Sequence, residues 1–228
     1  MLPKVDAPIY ETTFMNGETV KYRPFLVKEE KILMLASEGD DYNEMLQACA
    51  QVVDNCTFGK LDVEGLPLFA LQDLFVKIRM VSVGEEQEFN LTCGNCEGTI
   101  KYTLNLEDMK VKGLGDLPNG EIKVNDDFII NMKFPSALKV ALDDEQTDVD
   151  IIKHCIHSIV TEEEEQLIKD VKQEELIEFV ENLPIDVFEE MRKFIQAMPV
   201  LQHSIDYKCP HCDEDQVVNI NGYEHFFA

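Results

Sequence analysis

Four of the seven cysteines in this 228-residue chain fall into two short pairs, Cys93-Gly-Asn-Cys96 and Cys209-Pro-His-Cys212. Two thiolates spaced in this way reach one metal ion from a single tight turn, and two such turns complete a tetrahedral sulfur shell. A closed shell leaves no position for water or substrate, so it folds a protein rather than running a reaction. The spacing therefore predicts that Cys93, Cys96, Cys209 and Cys212 bind a structural zinc ion. The rival chemistry is thiol–disulfide exchange at Cys209 and Cys212, since Cys-Pro-His-Cys also occurs in thioredoxin-like proteins. That chemistry wants the pair at a helix N-terminus behind a strand. Here Asp213-Glu-Asp-Gln and an alternating segment follow, and a second pair is at hand as partner.

The elements that must hold the cysteines alternate in polarity. Glu88–Cys93 and Thr99–Asn105 flank the first pair, and His203–Cys209 and Gln216–Asn221 flank the second, which predicts strands around two cysteine turns. Because 112 residues separate Cys96 from Cys209, the ribbon is interrupted by an insertion. The expected organisation is an α+β protein. Residues 1–86 form an N-terminal hairpin and helical region, 87–112 and 200–228 the two ribbon halves, and 113–199 an acidic, mainly helical insertion.

Within the first region, Ile9–Phe14 and Thr19–Arg23 read as a hairpin around Met15-Asn16-Gly17-Glu18. Helices are predicted over Val27–Ala36, with Val27, Ile32, Leu35 and Ala36 near one stripe, over about Asp41–Cys56, and over Leu68–Val81. In the insertion, Gly120–Asn125 and Asp127–Phe134 are candidate strands. Val149–Val160, Gln173–Glu181 and Ile185–Met198 are candidate helices, with Pro184 and Pro199 marking the ends of the last.

The remaining cysteines and histidines read as packing groups. Cys49, Cys56 and Cys155 sit among apolar residues, and His154 and His157 lie three apart without a committed carboxylate pair. His211 lies inside the second cysteine turn as a loop side chain rather than a ligand. No phosphate-cradling glycine loop, Gly-x-Ser-x-Gly elbow or His-Glu-x-x-His helix occurs, so nothing here argues for an enzyme or a small-molecule substrate.

Charge narrows the partners. The chain holds 45 acidic against 20 basic residues, a net of −25, and is repelled by nucleic acid and by anionic membrane surfaces. Residues 143–190 alone hold 17 acidic and 3 basic residues, with Glu162–Glu165 as the densest run. No apolar run is long enough to cross a bilayer, and the first residues lack a signal peptide's order, which places the chain in a reducing cytoplasm. Phe25-Leu-Val, Leu66–Leu71 and the tail Gly222–Ala228 are apolar enough to anchor a protein partner or to tuck into the protein's own core.

The run Tyr22-Arg-Pro-Phe-Leu-Val-Lys-Glu-Glu-Lys-Ile-Leu-Met-Leu-Ala36 resembles the opening of the baseplate hub proteins of T-even-type tailed bacteriophages. The cysteine ribbon around an acidic insertion and the ending Asn221-Gly-Tyr-Glu-His-Phe-Phe227 are similar as well. The resemblance implies a non-enzymatic hub component or chaperone-like assembly factor. Its partners would be other baseplate hub or tail proteins, and it would work in the host cytoplasm during assembly or in the virion's tail baseplate. It supplies no catalytic residues. The alternatives are a thiol–disulfide oxidoreductase using Cys209 and Cys212, and a transcription-associated zinc-ribbon module that binds protein rather than DNA.

Overall fold

A computed structural model describes residues 6–14, 17–39, 41–142 and 147–222. The chain opens with the antiparallel pair β1 (Tyr10–Thr13) and β2 (Thr19–Tyr22), in which Tyr10 faces Tyr22 with ring centroids 5.8 Å apart. Gly17 adopts φ +83°, and the Phe14 N–H donates to the Glu18 carbonyl at 2.8 Å. Met15 and Asn16 of the expected turn lie outside the described residues. Then come α1 (Val27–Ser37), α2 (Tyr42–Cys56) and α3 (Leu68–Val83). Asp41 starts α2 by accepting the Asn43 N–H at 2.7 Å, relieving one of the orphan donors of a helix N-terminus.

Leu46, Cys49, Val52, Val53 and Cys56 of α2 are buried, as are Leu71, Leu74, Phe75 and Ile78 of α3. Leu66–Leu71, considered above as a partner anchor, belongs to the interior: Leu66, Phe69, Ala70 and Leu71 are all buried. The inner stripe of α1 differs from expectation. Glu29 and Leu33 are its buried residues, while Val27 and Leu35 face outward. Glu29 is what turns the helix: its carboxylate accepts the Leu26 N–H at 2.8 Å and pairs with Arg23 Nη2 at 3.0 Å. A buried carboxylate is tolerable only with such partners, so the pair sets the helix rotation.

The next three strands are β3 (Glu86–Thr92), β4 (Thr99–Asn105) and β5 (Lys110–Lys112). β3 and β4 form an antiparallel hairpin, with Phe89 against Tyr102 at 5.8 Å.

The middle of the chain builds β6 (Glu121–Lys123), β7 (Phe128–Met132), α4 (Ala137–Ala141), α5 (Asp148–Cys155), β8 (Ile156–Thr161), β9 (Glu165–Leu167), α6 (Gln173–Glu181) and α7 (Ile185–Gln196). The strands form one antiparallel sheet in the order β6-β7-β8-β9. Ile122, Ile130, Met132, Ile152, Ile156, Leu176, Val180, Val187, Met191 and Phe194 make its core with the helices. The helix expected over Val149–Val160 stops at Cys155, because Ile156–Thr161 pairs with β7 as a strand. Glu162–Glu165, expected within a helical piece, instead turns the chain from β8 into β9, where the Thr161 N–H donates to the Glu164 carbonyl. Asp143, Asp144 and Glu145 lie outside the described residues.

The chain then returns as β10 (Val200–Lys208) and β11 (Asp215–Asn221), and β10 pairs with both β11 and β5. Two compact units result: residues 1–63, 69–112 and 200–228 in the first, 64–68 and 113–199 in the second. The long segment of the second unit, 113–199, begins and ends at one place. Gly113 adopts φ +92°, and a Cβ there would lie 3.4 Å from Pro199 Cα. The tail from Tyr223 to Ala228 lies outside the described residues.

Candidate metal centre

Each cysteine pair occupies a knuckle between two strands. In the first, the Cys93 N–H donates to the Gly98 carbonyl and the Glu97 N–H to the Cys93 carbonyl, at 2.9 and 3.0 Å. In the second, Cys209 donates to Glu214 and Asp213 to Cys209, both at 2.9 Å. Glu97 and Asp213 both take φ +58°, the left-handed turn that swings each second cysteine back toward the first. Strand registers match too: Glu86 faces Asn105 as Gln202 faces Asn221, and Thr92 faces Thr99 as Lys208 faces Asp215. One constant shift along the chain, the one that takes Cys93 to Cys209, superposes every one of these pairs. The two hairpins are structural repeats.

The repeats bring all four sulfurs together. Cys93 Sγ lies 3.8 Å from Cys212 Sγ, Cys96 Sγ lies 3.7 Å from Cys209 Sγ, and all four lie within 4.8 Å of one another. A tetrahedron of metal–sulfur bonds of about 2.3 Å has edges of about 3.8 Å, so these thiols could hold a metal ion with little movement. Among the described residues no other cluster of His, Cys, Asp and Glu is placed to do so. His154 lies on α5 and His157 is exposed on β8; the two do not share an element.

The surroundings suit thiolates. The N–H groups of Cys96 and Asn95 bring the Cys93 thiol down to about 7. At Cys96 the Gly98 N–H also lowers the pKa, but desolvation and the neighbouring sulfurs outweigh it and push the thiol up to about 12. Within the first pair the two shifts are opposed: backbone N–H groups favour the Cys93 thiolate, and the neighbouring sulfurs disfavour a charge on Cys96. Asn95 Nδ2 donates to Cys212 Sγ at 3.6 Å, and the Gly94 N–H donates to Gln216 Oε1 at 3.3 Å. The buried Tyr207 hydroxyl makes no hydrogen bond, and desolvation, then the charge of the four cysteines, raises its pKa.

His211 is not among the four sulfur positions. Its Nε2 bonds the Thr99 carbonyl at 3.2 Å, and its ring lies over Gly98, where a Cβ would come within 2.5 Å of Cδ2. It latches the second knuckle to the first, a role sequence reading missed; the one signal was the glycine that ends the first knuckle. Cys209 and Cys212 sit between two strands, not at the helix start that thiol exchange favours. Two of the other thiols are quiet: burial pushes Cys56 up to about 11 and Cys155 up to about 12.

No helix among the described residues is long and apolar enough to cross a membrane. Neither the curated proteins nor the solved structures yield a match to this chain. Residues 7–228 match the family model described as T4 bacteriophage base plate protein. The match takes in both hairpins, all four cysteines and the whole inserted unit, and the chain belongs to that family of phage baseplate proteins.

Proposed function

We propose that the chain works in the central hub of the tail baseplate, as a hub component or as a chaperone-like factor in hub assembly. It acts through protein–protein contacts, without catalysis and with a structural zinc ion. The family match over residues 7–228 is the observation that carries this reading. A baseplate protein contacts other baseplate or tail proteins, and the most acidic part of this chain offers them an anionic surface. Among the described residues, the exposed Glu162–Glu165 turn and the outer side of α6 (Glu174, Glu178, Glu181) would cover basic surfaces of hub subunits before these join. Binding to purified hub subunits with Glu162–Glu165 changed to glutamine tests this part, and unchanged binding would count against it.

Zinc at Cys93, Cys96, Cys209 and Cys212 is supported by the donor set, the inter-sulfur distances and the paired knuckles. Bound there, the ion would join the two repeats and contribute folding free energy directly. Elemental analysis should find one zinc per chain, with four thiols protected until a chelator is added. A Cys209→Ser variant should lose the metal and melt earlier; one that kept both its zinc and its melting behaviour would sink the four-cysteine assignment.

A further inference from the structure

Backbone parity fixes which polar groups of the two cysteine hairpins face away from their own ladder. Between β10 and β11 the Cys209 N–H donates to the Glu214 carbonyl and the Gly222 N–H to the Leu201 carbonyl. Hydrogen-bonded pairs in an antiparallel ladder recur at every second residue, so Gln216, Val218 and Ile220 turn their N–H and C=O groups toward β10. Asp215, Val217, Asn219 and Asn221 turn theirs away, and among the described residues β11 has no strand on that side. The same parity shows how the other edges are blunted. β3 carries Glu86 and Glu88 along its outer edge, and β4 carries Lys101 and has its Thr99 carbonyl taken by His211. On β10, β5 covers Val200 and Gln202, and Asp206 and Lys208 stand beyond it. Charges and covering strands are the ordinary means of keeping a sheet edge from pairing. β11 has neither between residues 216 and 221. Its register with β10 is unbroken over seven residues, and Val217 stands at 66 % exposure within the outward row.

An edge of this kind fits a copy of itself. Laid antiparallel over its full length, β11 meets a second β11 with Val217 opposite Asn219 and Asp215 opposite Asn221, all of them residues whose backbone groups face outward. The two Val217 side chains become diagonal neighbours on one face, and Val218 meets its own copy at the axis on the other. No like charges stand opposite. The acidic turns, with Asp213, Glu214 and Asp215, fall at opposite ends of the ladder, about 20 Å apart, well beyond a Debye length of about 8 Å. A chain with a net charge of −25 thus meets little of its own repulsion along this line. A parallel pairing would bring the turns together, and a basic strand would find no carboxylate between residues 216 and 221 to face. We propose that the free edge of β11 pairs, antiparallel and about a two-fold axis, with β11 of a second copy of this chain. A strand pair of this length buries less than the roughly 1,200 Å² of a stable interface, so the dimer should be weak, with Kd of about 10–500 μM.

Sedimentation equilibrium of the full chain at about 0.15 M salt, from micromolar to near-millimolar concentration, tests this beside residue-resolved amide hydrogen exchange. A reversible monomer–dimer equilibrium is expected. The Val217 and Asn219 amides should gain protection as concentration rises, and the outward amides of Lys101 and Thr103 on β4 should not. Val217→Glu should raise Kd by roughly tenfold or more, since it sets two carboxylates diagonally across the ladder. Val217→Pro should abolish pairing, because it removes an outward N–H and none that β10 uses. Val217 is exposed, so the melting temperature of the glutamate variant should hold. A chain that stays monomeric throughout, a dimer whose Val217 and Asn219 amides gain no protection, or a Val217→Glu variant that pairs as before would each overturn the proposal. A monomeric chain whose β11 edge is protected only on mixing with another baseplate protein would do so too, and would assign the edge to a strand of that protein.

Discussion

Replacing Gly98 with alanine should destabilise the paired cysteine hairpins, and the reason lies across the four-cysteine cluster. Gly98 does not adopt a left-handed backbone, so an alanine there would by itself stabilise the fold by about 0.4–1 kcal/mol through a less flexible unfolded chain. Against that gain stands His211. The new Cβ would fall 2.5 Å from its Cδ2, 2.9 Å from its Cγ and 3.2 Å from Cys96 Sγ. The ring can escape only by giving up its bond to the Thr99 carbonyl, and the sulfur only by leaving its place among the four thiols. Overpacking of this kind costs roughly 1–3 kcal/mol, so the net loss should be about 1–2 kcal/mol. For a chain of this size that is a melting temperature lower by roughly 2–8 °C. The decisive comparison is a cycle with His211→Ala. In that background only the 3.2 Å contact with Cys96 Sγ remains, so Gly98→Ala should cost less, a coupling of about 1 kcal/mol or more. If Gly98→Ala lowers the melting temperature equally in both backgrounds, His211 is not the latch described here.

Other perturbations read the two units separately. Arg23→Ala would leave the Glu29 carboxylate buried without its main partner and should cost about 3–5 kcal/mol by denaturant titration. Burial alone would raise the Glu29 pKa, but the bonds from Arg23 and the Leu26 N–H bring it below its ordinary value of 4.5. A folded-state value lower than the unfolded one stabilises the protein above about pH 4.5, and that stabilisation is lost as pH falls below it. Glu29→Gln should flatten this acid limb of a stability–pH curve. Ile130→Ala, in the core of the second unit, should cost about 2–5 kcal/mol, visible as an earlier calorimetric transition. Gly120→Ala would set a Cβ 2.7 Å from the Met132 carbonyl oxygen, and backbone cannot rotate away. It should loosen the β6–β7 pairing by roughly 1–3 kcal/mol, with faster amide exchange at Met132 as the readout.

The parts of this fold that were legible in the sequence are those specified by neighbours along the chain. The cysteine turns, the Tyr10–Tyr22 hairpin and the helices α2 and α3 follow from local spacing and periodicity. The misread parts are decided at long range. Ile156-His-Ser-Ile-Val-Thr161 is apolar enough to continue α5, and only its pairing with β7 makes it a strand. There the register shifts between Asn131 and Met132, so Ile156 joins the core beside Met132 while Ser158 still faces Asn131. β5 and β9 have three residues each and no pattern of their own; each exists because a partner strand arrives from elsewhere. At α1 the stripe of Val27, Ile32, Leu35 and Ala36 pointed to the wrong inner face, because a buried ion pair turns Glu29 and Leu33 inward instead. At the candidate metal site the grouping of the four sulfurs was plain from spacing. The His211 contact with Gly98 and Thr99 was not, because it joins residues more than a hundred positions apart.

The closeness of Gly113 to Pro199 bears on how the sulfur site comes to exist during synthesis. With the second unit unfolded, pairing Lys112 with Val200 closes a loop of nearly ninety residues, an entropic cost of about 4 kcal/mol. Once that unit has folded, its two ends already lie side by side, and the loop behaves as a tight connection. The first cysteine pair therefore leaves the ribosome some 6–22 s before the second at ordinary elongation rates, and meets it across a bridge the intervening unit has built. The affinity of the four cysteines for a metal ion would thus be set in part by the folding equilibrium of residues far along the chain from them. A core change such as Ile130→Ala should weaken retention of any metal held there, through chain connectivity alone.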